Sequence, residues 1–154
     1  MSDKITRLKE KFRLALTSTA KVISDDFELI NKTSEKKNKD LNSIEINDLT
    51  NPSDFIKLRA ETDSAALKKK FSNDQIYKKN LPLNNSSRSL YNIAEKIRYE
   101  ALGGKMLKGI EKNFQENYSY IINSKRKDQL KTKEDVPVTE AFELYMLKNF
   151  HEIK

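Results

Sequence analysis

Three groups of residues in this chain have types and spacings that chemistry could use. The first is the glycine cluster. All three glycines, Gly103, Gly104 and Gly109, fall within seven residues. Gly104-Lys-Met-Leu-Lys-Gly109 has the glycine spacing of a phosphate-binding loop, but Ile110 and Glu111 stand where a lysine and a hydroxyl must reach phosphate and magnesium. Nucleotide binding by this loop is excluded. What survives is a helix start with Lys105 and Lys108 beside it, able to hold an anion, or a plain helix corner. The second group is Arg59, Glu61 and Asp63. Two acids two residues apart diverge on a helix, which argues against a carboxylate pair for acid–base or metal chemistry, while Arg59 and Asp63 are spaced to pair. The third is Arg98 with Glu100, just before the glycines, which suggests an ion-pair or partner-contact cluster. The single histidine, His151, lies outside any nucleophile motif and reads as a surface residue near a helix end. The chain has no cysteine, which excludes disulfides and thiolate metal sites. No catalytic set and no metal set is expected.

Helices must position these groups. Ile5, Leu8, Phe12, Ala15, Leu16, Thr19 and Ile23 recur at helical spacing and predict an opening amphipathic helix. Residues 25–31 and 43–49 alternate polar with apolar around a charged stretch and predict a small β-hairpin. Asn51-Pro52 is a helix-start signal; the helix it opens carries Phe55, Ile56, Leu58, Ala66, Leu67 and Phe71 and ends at Ser72-Asn73-Asp74. Ile76-Tyr77 and Leu81-Pro82-Leu83 read as an apolar connection. Asn84-Asn85-Ser86 caps a helix with the stripe Leu90, Ile93, Ala94, Ile97, Ala101 and Leu102, and Gly103 or Gly104 suits the left-handed residue that ends it. A further helix from Lys105 turns Met106, Leu107, Ile110, Phe114, Tyr118, Ile121 and Ile122 inward. Val136-Pro137-Val138-Thr139 opens a last helix through Ala141, Phe142, Tyr145, Met146 and Phe150. The expectation is a mainly α fold of about five helices with a small β-hairpin near residues 25–49, in one domain covering 1–154.

Composition sets the setting. With 36% hydrophobic and 34% charged residues, the core is modest and built from amphipathic helices. The net charge of +7 is concentrated: residues 64–113 hold eleven basic and four acidic side chains. Such a patch attracts an anionic partner, whether an acidic protein or nucleic acid. Basic charge without a recognition element supports only non-specific phosphate attraction. No signal-peptide core and no membrane-length apolar run occurs, so a cytoplasmic protein with no membrane partner is expected.

Several of these residues resemble one family. Arg59-Ala-Glu-Thr-Asp63-Ser-Ala-Ala-Leu67, followed by a basic stretch to Phe71-Ser-Asn-Asp74, is similar to one block of the T subunit (CobT type) of the aerobic cobaltochelatase. Arg88 through Gly103, then Met106-Leu-Lys-Gly109-Ile-Glu-Lys-Asn113, is similar to its most distinctive block, with Arg98, Glu100, Gly103, Met106, Gly109 and Asn113 carrying the match. The likeness extends more loosely to the opening helix and to 136–147, and corresponds to the N-terminal region of that subunit. It implies a non-catalytic subunit or adaptor in cobalamin biosynthesis. Its partners would be a AAA+ ATPase subunit, which handles ATP and magnesium, and a large corrin-binding subunit, which inserts cobalt. This chain would bind no cofactor itself. T subunits carry a von Willebrand A domain with an Asp-x-Ser-x-Ser metal motif; that motif does not occur in these 154 residues. The partner-contact candidates are Arg59, Glu61, Asp63, Arg98, Glu100, Lys105 and Lys108, with Gly103, Gly104 and Gly109 as structural turn residues. The alternatives are a small basic nucleic-acid-binding protein and a truncated, inactive T subunit.

Overall fold

The computed structural model describes residues 2–26, 51–126 and 136–153. Six helices occur among them: α1 (Ser2–Ser24), α2 (Pro52–Phe71), α3 (Asp74–Asn80), α4 (Asn85–Met106), α5 (Lys108–Arg126) and α6 (Val138–Phe150). No strand occurs among the described residues. The expected hairpin lies outside them from residue 27 onward, and Asp25 and Asp26 at its edge close α1 instead. The chain falls into two compact units, 1–70 and 71–154. No described helix is long and apolar enough to cross a membrane.

In the first unit, Leu16, Ala20 and Ile23 form the buried stripe of α1. Ile5 and Leu8, expected on that stripe, are exposed. Phe12 meets Phe55 edge-on, with ring centroids 5.1 Å apart. Lys69 and Lys70 near the end of α2 reach Asp26 and Asp25 at the end of α1. Early residues thus meet early ones and late meet late, so α1 and α2 run parallel. Asp25 ends α1 in the left-handed region (φ 55°), a conformation that Asp tolerates better than most residues. Along α2 the buried positions are small or short: Ala60, Thr62, Asp63, Ser64 and Ala66, with Leu67. Thr62 satisfies its hydroxyl by donating to the Leu58 carbonyl at 2.8 Å.

The second unit is built on α4, which packs against both α5 and α6. Of the stretch read as an apolar connection, Ile76 and Tyr77 lie in α3, because the Asn73 side chain accepts hydrogen bonds from the Gln75 and Ile76 amides and caps it, while Leu81-Pro82-Leu83 does connect α3 to α4. Its Tyr77 ring lies 5.4 Å from that of Tyr91 and its hydroxyl bonds Asn92 on α4. Asn84 caps α4 in the same manner, accepting from the Ser86 amide at 2.8 Å. The core consists of Ile97 and Tyr99 from α4, Ile110, Phe114 and Tyr118 from α5, Leu147 from α6, and Ile153 beyond it. Complete burial of a side chain such as Ile97 or Phe114 contributes about 1.5–3 kcal/mol.

Two expectations about register change here. On α6, Leu147 is the buried residue, whereas Ala141, Tyr145 and Phe150 are exposed. His151 caps α6 one turn after the buried Leu147, its amide donating to the Leu147 carbonyl at 2.9 Å, and shares that buried face; Glu152 then turns in the left-handed region (φ 52°) and Ile153 is buried beyond it. The glycines do not end α4. Gly103 and Gly104 are buried inside it, no described glycine has positive φ, and the break comes at Leu107 with extended dihedrals (φ −137°, ψ 108°). Leu107 alone joins the two helices: its amide donates to the Gly103 carbonyl at 2.9 Å and its own carbonyl accepts from Ile110 at 2.9 Å.

Candidate functional site

Positions 93, 97, 100 and 104 of α4 fall on one face at helical spacing. Glu100 therefore shares the stripe of Ile97 and Gly104, and its carboxylate is carried into the core, where it is 1% exposed. Burying a carboxylate is costly unless it is hydrogen-bonded. On α5 the stripe of Ile110 and Phe114 continues to Tyr118, whose hydroxyl donates to Glu100 Oε2 at 2.6 Å. The third helix supplies His151, fully buried just after α6, with Nε2 3.8 Å from the same oxygen. Its ring centroid lies 5.6 Å from that of Phe114 and 5.7 Å from that of Tyr118. The Lys96 ammonium sits 5.4 Å from the Tyr118 ring centroid, within cation–π range. Gln115 fastens the turn by donating to the His151 carbonyl at 3.2 Å.

Burial, aided by the nearby Lys96 charge, pushes His151 down to about 4. Glu100 would favour an imidazolium, but at 3.8 Å it does not hydrogen-bond the ring, and neither ring nitrogen has a hydrogen-bond partner. Desolvation prevails and the imidazole is neutral at pH 7. Burial and the Glu100 carboxylate push the Tyr118 phenol well above its ordinary range, so it remains a donor. Acid–base work on a substrate requires reach of the reacting proton. Glu100, Tyr118 and His151 are all sealed from solvent, and their arrangement joins three helices rather than addressing a substrate.

The opposite side of α4 carries a second cluster. Arg98 donates from Nε to Glu95 Oε2 at 2.7 Å, and from Nη2 to Glu95 Oε1 and to the Phe71 carbonyl, both at 2.8 Å. Ser72 donates to Glu95 Oε1 at 2.8 Å. The Arg98 hydrogen bonds hold the Glu95 carboxyl below its usual range, with Ser72 helping and partial burial opposing. Arg98 also satisfies a carbonyl at a helix C-terminus that would otherwise lack an intrahelical donor.

The sequence-predicted residues thus separate. Arg98 and Glu100 do not pair with each other; they serve different partners on different faces. Arg59 and Glu61 are exposed on α2, with Glu61 3.9 Å from Lys57, and Asp63 is buried. Lys105 and Lys108 are exposed at the α4–α5 corner. His151, read as a surface residue, is instead wholly buried, because it stands one helical turn after Leu147 on the face of α6 that the core covers. Tyr118, Glu95 and Ser72 were not singled out. The signal for Tyr118 was present, since a polar-tipped ring on an apolar stripe needs a buried partner. Among the described residues no three His, Asp or Glu side chains group as a metal site.

The glycines fit close helix approach. A Cβ on Gly104 would stand 3.1 Å from the Glu111 Cβ of α5, so α5 packs against bare backbone there. At Gly109 nothing lies within 4 Å of such an atom.

No curated protein and no solved structure matches the chain. The sequence model of one family, described as "Cobalamin biosynthesis protein CobT", matches residues 7–149, taking in every described helix at least in large part. On that match, which spans the glycine corner and the residues that organise both units, the chain belongs to the CobT family of cobalamin biosynthesis proteins.

Proposed function

We propose that this chain is a non-catalytic subunit of an ATP-dependent cobaltochelatase, acting in cobalamin biosynthesis as an adaptor that assembles with a AAA+ ATPase subunit and a large corrin-binding subunit. Family membership over residues 7–149 is the observation that carries the reading. The use of the polar groups supports it. Glu95, Arg98, Glu100 and Tyr118, the residues best suited by type to chemistry, are committed to holding helices together. Exposed lysines of the second unit, among them Lys78, Lys79, Lys105 and Lys108, suit attraction to an acidic protein surface. In this reading cobalt is cargo and ATP with magnesium is fuel, both handled by the partner subunits. A tagged chain incubated with the AAA+ subunit and ATP is expected to retain it through washing at physiological salt. Failure of the wild-type chain to retain that subunit contradicts the adaptor role.

A further inference from the structure

The corner between α4 and α5 exposes three adjacent large apolar side chains. Leu102 is 38%, Met106 42% and Leu107 44% exposed. Leu102 and Met106 are one helical turn apart and lie on the same face of α4, and Leu107 follows Met106 at the joint. Lys105 and Lys108 flank them, both exposed and neither with an ion-pair partner among the described residues. Glu111, three residues after Lys108, lays its side chain over Gly104 in the helix interface.

Gly109 adds a separate observation. It sits exposed in the first turn of α5, its φ is not positive, and a side chain there would meet nothing. The fold does not require glycine at this position, although glycine weakens a helix by about 1 kcal/mol relative to alanine. A bare backbone beside an apolar, lysine-flanked patch leaves room for another chain to approach closely.

We infer that this corner, formed by Leu102, Met106 and Leu107 with Lys105, Lys108 and the open face of Gly109, is a docking surface for an acidic, apolar-anchored segment of a partner protein. The charge at the corner favours that chemistry: Lys105 and Lys108 are both exposed beside the apolar residues. The apolar trio favours protein over nucleic acid, because Leu and Met neither stack on bases as aromatic rings do nor neutralise phosphate. Other exposed apolar residues, such as Ile5 and Leu8 on α1 or Val138 and Tyr145 on α6, lack this combination of bare backbone and unpaired lysines. The inference rests on the adaptor reading above and names its contact.

The test measures binding of the AAA+ subunit to the full chain and to four variants whose folding is verified by circular dichroism and thermal melting. Met106→Gln with Leu107→Gln removes the apolar anchor, Lys105→Glu with Lys108→Glu reverses the flanking charge, and Gly109→Gln fills the open position. Lys78→Glu with Lys79→Glu, on exposed positions of α3, changes net charge equally at a different place. The corner variants are expected to bind at least tenfold more weakly and the α3 variant within about twofold of wild type, with the wild-type affinity falling as salt rises. Equal binding by wild type and all corner variants overturns the docking surface while leaving the adaptor reading intact. Absence of binding by the wild type overturns the adaptor reading and the inference with it. Unchanged protein binding, with loss of affinity for a short DNA duplex in the lysine variant alone, overturns the inference in favour of a phosphate site.

Discussion

His151 is the only histidine in the chain, fully buried, with both ring nitrogens unpartnered. Its titration is therefore a sharp test of how the second unit is assembled. Burial lowers it from 6.5 to about 4. Between those values the unfolded chain is protonated at this site and the folded chain is not. The unfolded state binds more protons, so stability falls as pH falls. The contribution is complete above pH 6.5 and is lost progressively as pH drops through the folded value near 4. Taking a drop of that size, the loss between about pH 7.5 and about pH 4.5 is roughly 2–3 kcal/mol, a substantial share of a typical domain stability of about 5–15 kcal/mol. Glu100, only 3.8 Å away, acts against the shift, which makes this figure an upper one. Leucine at position 151 has no titrating group and leaves no orphaned nitrogen. Urea denaturation of wild type and His151→Leu across this range is expected to give curves that diverge in acid, with wild type losing more stability than the variant. A proton NMR titration of the single imidazole reads the site directly. An imidazole that titrates at or above pH 6.5 in the folded protein, or stability curves that run parallel, would refute the argument that desolvation outweighs Glu100.

Tyr118→Phe removes the hydroxyl that donates to the buried Glu100 carboxylate at 2.6 Å and is expected to cost about 2–3 kcal/mol in chemical denaturation. Gly104→Ala and Gly109→Ala should have opposite signs. The first places a methyl 3.1 Å from the Glu111 Cβ and destabilises by about 1–2 kcal/mol despite the better helix former; the second meets nothing and stabilises by up to about 1 kcal/mol. Glu152→Gly relieves a left-handed residue at φ 52° and is expected to raise the melting temperature by an amount corresponding to about 0.5–1 kcal/mol.

Helix positions were legible because apolar spacing survives in a single sequence: Ile97, Ile110, Phe114 and Tyr118 lie on stripes that the structure buries. The short helix α3 was not, since seven residues carry too little periodicity and its cap, Asn73, read as a breaker. Glycine was misread for a physical reason. Gly103 and Gly104 suited a left-handed helix end, but the same lack of a Cβ also serves close packing, and Glu111 occupies that space. Leu107 breaks the helix with ordinary extended dihedrals that any residue adopts. Arg98 and Glu100 looked like one charged cluster, yet residues two apart on a helix face different ways, and this spacing alone separates the outward clamp from the buried acid. Burial of His151 was hidden by its position beyond the last helix. It lies one helical turn after Leu147 and so shares the buried face, against Phe114 and Tyr118, but the expected stripe of the last helix did not include Leu147. Of the residues expected as partner contacts, Arg59, Glu61, Lys105 and Lys108 are exposed, whereas Asp63 and Glu100 are buried.

Co-sedimentation of the wild-type chain with its AAA+ subunit in the presence of ATP and magnesium tests the adaptor role most directly. The account predicts one faster-sedimenting complex containing both proteins that dissociates as salt rises. Two independently sedimenting species at every salt concentration would contradict it.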